Sequence, residues 1–317
     1  MGSQRLARGV ARQDWLKPIE ETLQSAIHKL FLAGGASGQK AKNFLHGTWV
    51  GHPLHVILTD IPIGAWTTAL VFDVIDAATG DESFAKAADA SIAFGLVGAL
   101  GAAVTGLTDW QDTDPPARRI GVVHAALNIT SVALFTSSLV ARKRPSRAAR
   151  RTLAVAGYLA SALAAQLGGS LVYEQRIGVD HSSEHAYPKE FAAVADESEL
   201  SNGEPTRVMH EQSPILLVKR GNQIFALAEN CAHLGGPLSE GKLDGDIIQC
   251  PWHGSRFSIR DGHVVDGPAV HPQTCLETRI RDGKIEVRTI EYRKRQAEPA
   301  PLQNVVDSSR PRTGTNG

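Results

Sequence analysis

Two short segments near the C-terminus each offer one cysteine and one histidine, and this pattern constrains the chain more than any other feature. They read Cys231-Ala232-His233 and Cys250-Pro251-Trp252-His253, with sixteen residues between them. The arrangement suits a two-iron, two-sulfur cluster in which both thiolates bind one iron and both imidazoles bind the other. Neutral imidazoles remove negative charge from such a cluster, which raises its reduction potential above that of an all-cysteine ferredoxin. The pattern therefore predicts an electron-carrying site.

This spacing resembles the signature of the Rieske iron–sulfur family, C-x-H followed by C-x-x-H. The resemblance implies four metal ligands, which are Cys231, His233, Cys250 and His253. It also implies a shell of residues around the cluster, namely Leu234, Gly235, Gly236, Pro237, Trp252, Gly254, Ser255 and Phe257. Glycines suit this shell because backbone N–H groups must approach the sulfurs closely. The alternatives are a Cys2His2 zinc site, which usually groups cysteines and histidines separately, or four buried side chains without a metal.

Two departures from the respiratory Rieske proteins bear on the potential. Those proteins carry an additional cysteine in each loop, and the pair forms a disulfide, whereas Gly236 and Trp252 stand in that region here. They also have a tyrosine that donates to a ligand sulfur, where this chain has Phe257, although Ser255 remains. The sequence looks more like Rieske-type ferredoxins and oxygenase components. We therefore expect a potential in the lower part of the Rieske range of about −150 to +300 mV.

Length and composition predict about two domains and name no partner. The chain has 317 residues, with 33 basic and 33 acidic side chains, so bulk charge indicates no partner and we expect no nucleic acid to bind. Of three cysteines, Cys275 is left outside the ligand set and is expected to be a buried residue of a strand. No signal peptide is visible at the N-terminus.

The first 50 residues are predicted to form a tail that contains an amphipathic helix. Residues 1–12 combine several arginines with small residues and are expected to be disordered. From Pro18 onward apolar residues recur at helical spacing, until Gly34 and Gly35 end the pattern. Such a helix could lie on a membrane surface or pack against another domain.

Residues 51–175 are predicted to be a four-helix transmembrane domain. Apolar segments cover about 54–77, 88–108, 120–141 and 152–173, and the last three lack charged residues over a length that spans a bilayer. Their many glycines suit close helix packing in lipid. The alternative is a deeply buried soluble bundle, against which stands a basic cluster between the third and fourth segments, typical of a cytoplasmic loop: Arg142, Lys143, Arg144, Arg147, Arg150 and Arg151.

The first apolar segment differs from the others because carboxylates interrupt it. Asp60, Asp73 and Asp76 should face the bundle interior or lie near its ends, since charges at a helix centre cost about 2.5–3.5 kcal/mol. The stretch from His52 to Trp66 resembles the start of an uncharacterised family of small bacterial four-helix membrane domains, over about residues 43–175. This resemblance implies membrane topology and little established chemistry.

The C-terminal part is predicted to be a linker over 176–188, an all-β Rieske domain over 189–290 and a disordered tail over 291–317. Eight alternating, β-branched segments with turn signals between them indicate an antiparallel β sandwich that carries the cluster loops. They lie at residues 206–209, 215–218, 224–227, 247–249, 257–259, 264–265, 276–280 and 285–287. The overall fold class is thus multidomain, with an α-helical transmembrane bundle and an all-β domain.

Polar residues at membrane depth form a second candidate site. His52, His55, Asp60 and His124 are placed by the predicted topology near the membrane face that carries the Rieske domain. Intramembrane histidines and carboxylates are candidates for function, so these side chains could hold a haem or a quinone, or relay protons. The alternative is that they only hydrogen-bond across the bundle or lie among headgroups.

Together these features predict a multi-pass protein of the bacterial cell membrane that carries single electrons. Its expected partners are the lipid bilayer and an electron donor and acceptor, either a protein or a quinone. The basic loop favours the Rieske domain on the extracytoplasmic side. Two other functions stay open: an electron-supplying component of an oxygenase system, and a redox-sensing or scaffolding membrane protein.

Overall fold

The computed structural model of the protein describes residues 2–141 and 147–290. The chain divides into two compact units, Met1–Gly178 and Val179–Gly317, of which the first is helical and the second is built from β-strands. The predicted C-terminal tail and most of the basic loop, residues 142–146, lie outside the described residues.

Three short helices open the helical unit. They are α1 (Gly2–Ala11), α2 (Lys17–Ala33) and α3 (Gly35–His46). The expected disorder over residues 2–11 is therefore wrong. The arginines of this segment obscure an apolar face on α1, where Ala7 is buried in a cluster with Ile120 and Leu167. The amphipathic helix predicted from Pro18 is present as α2, and it exposes Leu23, Leu30 and Leu32.

Four long helices follow, as predicted from the apolar segments. They are α4 (Leu54–Thr79), α5 (Glu82–Trp110), α6 (Ala117–Val140) and α7 (Arg147–Tyr173). Each is long and apolar enough to cross a membrane. Large apolar side chains are more than half exposed along these helices, among them Phe94, Val97, Leu100, Ile129 and Leu159. An apolar exterior of this kind matches a lipid environment.

Glycines allow the long helices to approach closely at aromatic contacts. Trp66 of α4 stacks on Phe135 of α6 with ring centroids 4.3 Å apart, and both side chains are buried. A Cβ on Gly95 of α5 would lie 2.3 Å from the indole nitrogen of Trp66. The glycine therefore creates the space that the indole ring occupies, as expected for small-residue packing between membrane helices.

The carboxylates near the end of α4 are buried with arginines of α7. Asp73 and Asp76 are buried, and the guanidinium of Arg150 lies 3.2 Å from Asp76 and 3.6 Å from Asp73. Arg151 also reaches Asp76, at 2.5 Å. These ion pairs compensate the charges that the sequence places in an apolar helix. Asp60 differs, because its side chain is exposed on α4.

A second charged network lies where α3 meets the end of α5. His46 is buried, and its ring nitrogens lie 2.7 Å from Asp109 and 3.3 Å from Asp112, while Lys42 lies 2.9 Å from Asp112. Burial opposes the charged form of His46, but hydrogen bonds to the two carboxylates outweigh it and raise the pKa of this histidine. Burial would raise the pKa of Asp112, yet the hydrogen bond from His46 and the charge of Lys42 lower it.

This network predicts a loss of stability at alkaline pH. A raised folded-state pKa means that the contribution of His46 is complete below its ordinary pKa of about 6.5 and is lost as the pH rises through the folded value. We expect the melting temperature of the protein in detergent to fall as the pH rises above about 6.5. In His46→Gln this fall should be smaller, and an equal slope in both proteins would contradict the assignment.

The second unit contains two antiparallel sheets within its described residues. Its strands are β1 (Ala192–Asp196), β2 (Pro205–His210), β3 (Ser213–Arg220), β4 (Gln223–Ala228), β5 (Lys242–Asp244), β6 (Ile247–Gln249), β7 (Arg256–Ser258), β8 (Val264–Asp266), β9 (Cys275–Arg281) and β10 (Lys284–Thr289). One sheet has the order β1-β10-β9-β4-β3-β2 and the other the order β5-β6-β7-β8. Leu216 and Phe225 of the larger sheet share an apolar core with Ile248 and Phe257 of the smaller one.

Candidate metal centre

The two predicted ligand pairs lie on loops that leave this core. Cys231 and His233 follow β4, and Cys250 and His253 lie between β6 and β7. Both cysteines are buried in the apolar core, whereas both histidines are half-buried. The two imidazole rings meet with centroids 5.0 Å apart and planes at 82°. The fold therefore brings the four predicted ligands together, with the sulfur pair inside and the imidazole pair toward the surface.

The sulfur side of the site is a cradle of hydrogen-bond donors. The Cys231 thiol donates to Cys250, and each sulfur also faces two backbone N–H groups, from His233 and Leu234 at Cys231 and from Trp252 and His253 at Cys250. Burial raises the pKa of the Cys231 thiol, while the hydrogen bond from Cys231 lowers the pKa of Cys250 to about 7. Donors of this kind stabilise thiolates that bind iron.

The predicted ligands are grouped in the way that a two-iron cluster requires. The two cysteines lie together in the apolar core, and the two imidazoles meet toward the surface. A Cys2His2 zinc site requires all four side chains around one ion. A two-iron cluster requires only two protein ligands at each iron, because sulfides complete each coordination shell.

Three glycines give the loops their close approach to the sulfurs. A Cβ on Gly236 would lie 2.9 Å from the Cys250 sulfur and 3.0 Å from the Trp252 ring. Gly235 and Gly254 have φ angles of +76° and +78°, a region that residues with a Cβ rarely adopt. Gly236 is therefore needed for space, and the other two are needed for backbone conformation.

The remaining residues of the predicted shell divide between surface and core. Leu234 and Pro237 are half-buried, and Trp252 is 56% exposed beside the ligand His253. Phe257 is fully buried in the core that also contains both ligand cysteines. Ser255 is fully buried as well, and its hydroxyl oxygen accepts the backbone N–H of Ala269 at 3.0 Å.

Replacing Ser255 by alanine should lower both the stability of the fold and the reduction potential of the cluster. The Ala269 N–H would lose its buried acceptor, which costs about 1–3 kcal/mol. The hydroxyl proton that can hydrogen-bond to the cluster would also be lost, so we expect the reduction potential to fall. Thermal unfolding and a redox titration of Ser255→Ala measure these two effects. A lower melting temperature with an unchanged potential would assign Ser255 a structural role only.

Four residues that the sequence did not single out as site residues hold the first ligand loop, three through their side chains and one through its backbone N–H. Gln273 is buried and donates to the carbonyls of Ala228 and Asn230 at 2.8 and 2.6 Å, while its oxygen accepts from the Ala232 N–H at 2.9 Å. The others are Glu229, whose side chain accepts from Ser239, His185, whose ring lies 3.1 Å from the Asn230 side chain, and His181, whose backbone N–H donates to the Ala232 carbonyl at 3.2 Å. None of these four residues lies in the Cys–His spacing pattern, so the pattern could not have indicated them.

The candidate membrane residues are only partly brought together. His55 of α4 and His124 of α6 meet, with ring centroids 6.4 Å apart. His52 and Asp60 are exposed, so the expectation that Asp60 supports the two histidines finds no counterpart among the described contacts.

Comparison with known proteins identifies both parts of the chain. The Rieske [2Fe-2S] domain model matches residues 190–286, and a family described as predicted membrane protein (DUF2231) matches residues 51–181. The chain is 33% identical over 94 residues to the ferredoxin component of biphenyl 2,3-dioxygenase from Rhodococcus jostii (strain RHA1), which covers 30% of this chain and 88% of that protein.

Other similarities cover the same segment. Human apoptosis-inducing factor 3 (Homo sapiens) is 34% identical over 111 residues, which are 34% of this chain but only 18% of that protein. The chain thus spans less than a fifth of that relative. The solved ferredoxin of carbazole 1,9a-dioxygenase from Nocardioides aromaticivorans IC177 is 25% identical, with a TM-score of 0.31, and the match covers 32% of this chain and all of that one.

Proposed function

The chain belongs to the Rieske [2Fe-2S] family, and from that membership we propose that it is a membrane-anchored electron carrier between a redox partner and an acceptor at or in the membrane. Cys231, Cys250, His233 and His253 would hold the cluster. When bound, such a cluster takes up and releases one electron at a time. The DUF2231 match and the four long apolar helices support the lipid bilayer as a partner.

The observation that carries this proposal is the difference in burial between the two ligand pairs. The cysteines are buried, while the histidines are half-buried beside the exposed indole of Trp252. Electrons would therefore enter and leave through the imidazole side, where a partner protein can approach. An exposed aromatic ring is a common anchor in protein interfaces.

The second candidate is an electron supplier within an oxygenase system. It is favoured by the relative that is named as the ferredoxin component of a dioxygenase. A self-contained oxygenase would require a mononuclear iron site with two histidines and one carboxylate. No such triad is formed by the described residues, so an oxygenase would have to be a separate partner protein. A redox sensor or a scaffolding protein would hold the same cluster. It would differ only in that it does not pass electrons repeatedly to a partner.

For the topology, we propose that the Rieske domain lies on the extracytoplasmic side of a bacterial cell membrane. The support is the excess of Arg and Lys over residues 142–151, which follow α6 and include the first turn of α7. Lys42 and Arg119 favour the opposite orientation, but they are fewer than the six basic residues of this segment. Reporter fusions after Gly317 that fluoresce or react only in the cytoplasm would overturn this orientation.

A redox titration of the purified full-length chain tests the function. Electron paramagnetic resonance should show the signal of a reduced Rieske cluster, with a midpoint in the lower part of the range of about −150 to +300 mV. Reconstitution into liposomes should then allow reversible one-electron exchange with a soluble mediator. Protein that contains iron and sulfide but shows no reversible reduction would contradict the proposal of an electron carrier.

A further inference from the structure

Two histidines from non-adjacent segments meet inside the helical bundle. His55 lies in the first turn of α4 and His124 lies in the second turn of α6. Their ring centroids are 6.4 Å apart and their planes are nearly perpendicular, at 88°. Both rings are half-buried. Facing helices of a bundle commonly supply the side chains of a cofactor site in this way.

Backbone contacts fix the tautomer of both rings. The Nδ1 atom of His55 lies 2.8 Å from the Ala102 carbonyl of α5, and the Nδ1 atom of His124 lies 2.8 Å from the Ala164 carbonyl of α7. A carbonyl oxygen can only accept, so each Nδ1 carries the proton. Each Nε2 therefore presents a lone pair, which is the form in which histidine binds a metal.

The separation of the rings matches two axial ligands of one ion. A metal–imidazole bond is about 2 Å long, so the centroids of two rings that bind one ion from opposite sides lie about 6 Å apart once half of each ring is added. The observed separation is 6.4 Å.

The surroundings favour an ion that brings its own equatorial ligands. No third His, Cys, Asp or Glu joins the pair in the part of the chain that the structure describes, and two ligands do not satisfy a bare divalent ion. A quinone is poorly matched as well, because its oxygens need donors and both Nδ1–H groups are already used by carbonyls. A porphyrin iron has four equatorial nitrogens and needs only two axial imidazoles.

Glycines let both imidazoles lie directly against a neighbouring helix, and a cleft opens close to them. A Cβ on Gly106 of α5 would lie 2.7 Å from the His55 ring, and one on Gly168 of α7 would lie 3.2 Å from the His124 ring, so the two rings occupy the space over these glycines. A cleft of about 670 Å³ opens between α4 and α7, and it is lined in part by Ala165, Gln166 and Gly169, next to the residues that contact His124. This volume lies within the range of sites for cofactor-sized molecules, about 300–1,000 Å³.

We propose that the helical bundle binds one haem, with His55 and His124 as its two axial ligands. One adjustment is required, because the Asn128 amide lies 3.1 Å from the His124 Nε2. The same amide nitrogen also donates to the His124 carbonyl at 3.0 Å. Asn128 therefore keeps a hydrogen bond when iron takes its place at Nε2.

The haem site gives the helical unit a redox role beyond anchoring, and it extends the proposed electron carrier with a second one-electron centre. Reduction of ferric to ferrous haem consumes one electron and no proton. Oxidation of a reduced Rieske cluster to its diferric form releases one electron. The two half-reactions therefore balance without a further reactant.

Haem content of the full-length protein tests the proposal. The chain is expressed in bacterial membranes with added haem precursor, purified in mild detergent, and assayed by the pyridine haemochrome method and reduced-minus-oxidised spectra. We expect about one haem per chain, and a decrease of about tenfold or more in His55→Ala and in His124→Ala. His28→Ala, which removes an exposed histidine of α2, is the matched control and should retain full haem content.

Two further measurements separate ligation from packing. His124→Met should retain haem and raise its reduction potential, because methionine is a haem ligand that favours the ferrous state. The Rieske signal should persist in every variant, which shows that the protein is folded and keeps the haem result independent of the proposed electron-carrier function. Wild-type protein without haem after growth with precursor would overturn the proposal, and so would alanine variants whose haem content equals that of the wild type.

Discussion

Replacing Cys250 by serine should abolish the Rieske signal and strongly destabilise the β unit. Cys250 is buried in the apolar core, and its sulfur faces the Cys231 thiol and two backbone N–H groups. A serine oxygen is a harder and shorter ligand, so this cradle would no longer hold an iron. Because cluster binding contributes folding free energy, a loss of even 2 kcal/mol would lower the melting temperature by roughly 10 °C.

Cys275→Ser provides the matched control for this experiment. Cys275 is buried in the same apolar core, but it lies in β9 and outside the ligand set. It should therefore lose some stability while the cluster signal stays intact. His233→Cys should convert the signal toward that of an all-cysteine ferredoxin and lower the potential, since a thiolate adds negative charge. Wild-type protein that binds zinc without iron or acid-labile sulfide would refute the cluster assignment itself.

The ligands could be predicted from sequence because their chemistry is local. Each loop carries one cysteine and one histidine within a few residues, so the spacing indicates the four ligands, while the assignment of both cysteines to one iron follows from the resemblance to the Rieske family. The strands in which apolar and polar residues clearly alternate were also predictable. Strands β1 and β5 were not, because AAVAD and KLD lack the β-branched alternation of their neighbours and depend on pairing with β10 and β6.

The membrane helices themselves were predictable from sequence, but the contacts between their side chains were predictable only in part. Long apolar segments, three of them free of charged residues, predicted all four helices, because length and hydropathy are properties of continuous sequence. The contact between His55 and His124 followed from placing both near one end of the bundle. Asp60 lies five residues after His55, which rotates it by about 140° around the helix. Proximity along the chain therefore did not bring its carboxylate to the histidine pair.

Together, the two units suggest how a one-electron carrier can be built from separate parts. The β unit holds its sulfur ligands inside an apolar core and presents its imidazoles toward the surface. The helical unit is apolar on its exterior and places two metal-competent histidines in its interior. If the bundle binds haem as proposed, the DUF2231 domain supplies a redox centre in addition to an anchor.

Replacing Gln273 by methionine should cost nearly as much as removing a ligand, although Gln273 binds no metal. Its side chain is buried and makes three hydrogen bonds to the backbone of residues 228–232, the segment that ends in the first ligand pair. Methionine has a similar length but cannot donate or accept strongly. Two carbonyls and one N–H would lose their partner, at about 1–3 kcal/mol for each unsatisfied group.

The expected loss is large compared with the stability of a typical domain, which is about 5–15 kcal/mol. We therefore expect Gln273→Met to lower the melting temperature of the β unit and to reduce cluster content on purification, as measured by iron, acid-labile sulfide and paramagnetic signal. Gln212→Met, the same substitution at an exposed glutamine in the turn between β2 and β3, should leave both quantities unchanged. Normal cluster content in Gln273→Met would mean that the first loop is shaped by its glycines and by the metal itself rather than by this side chain.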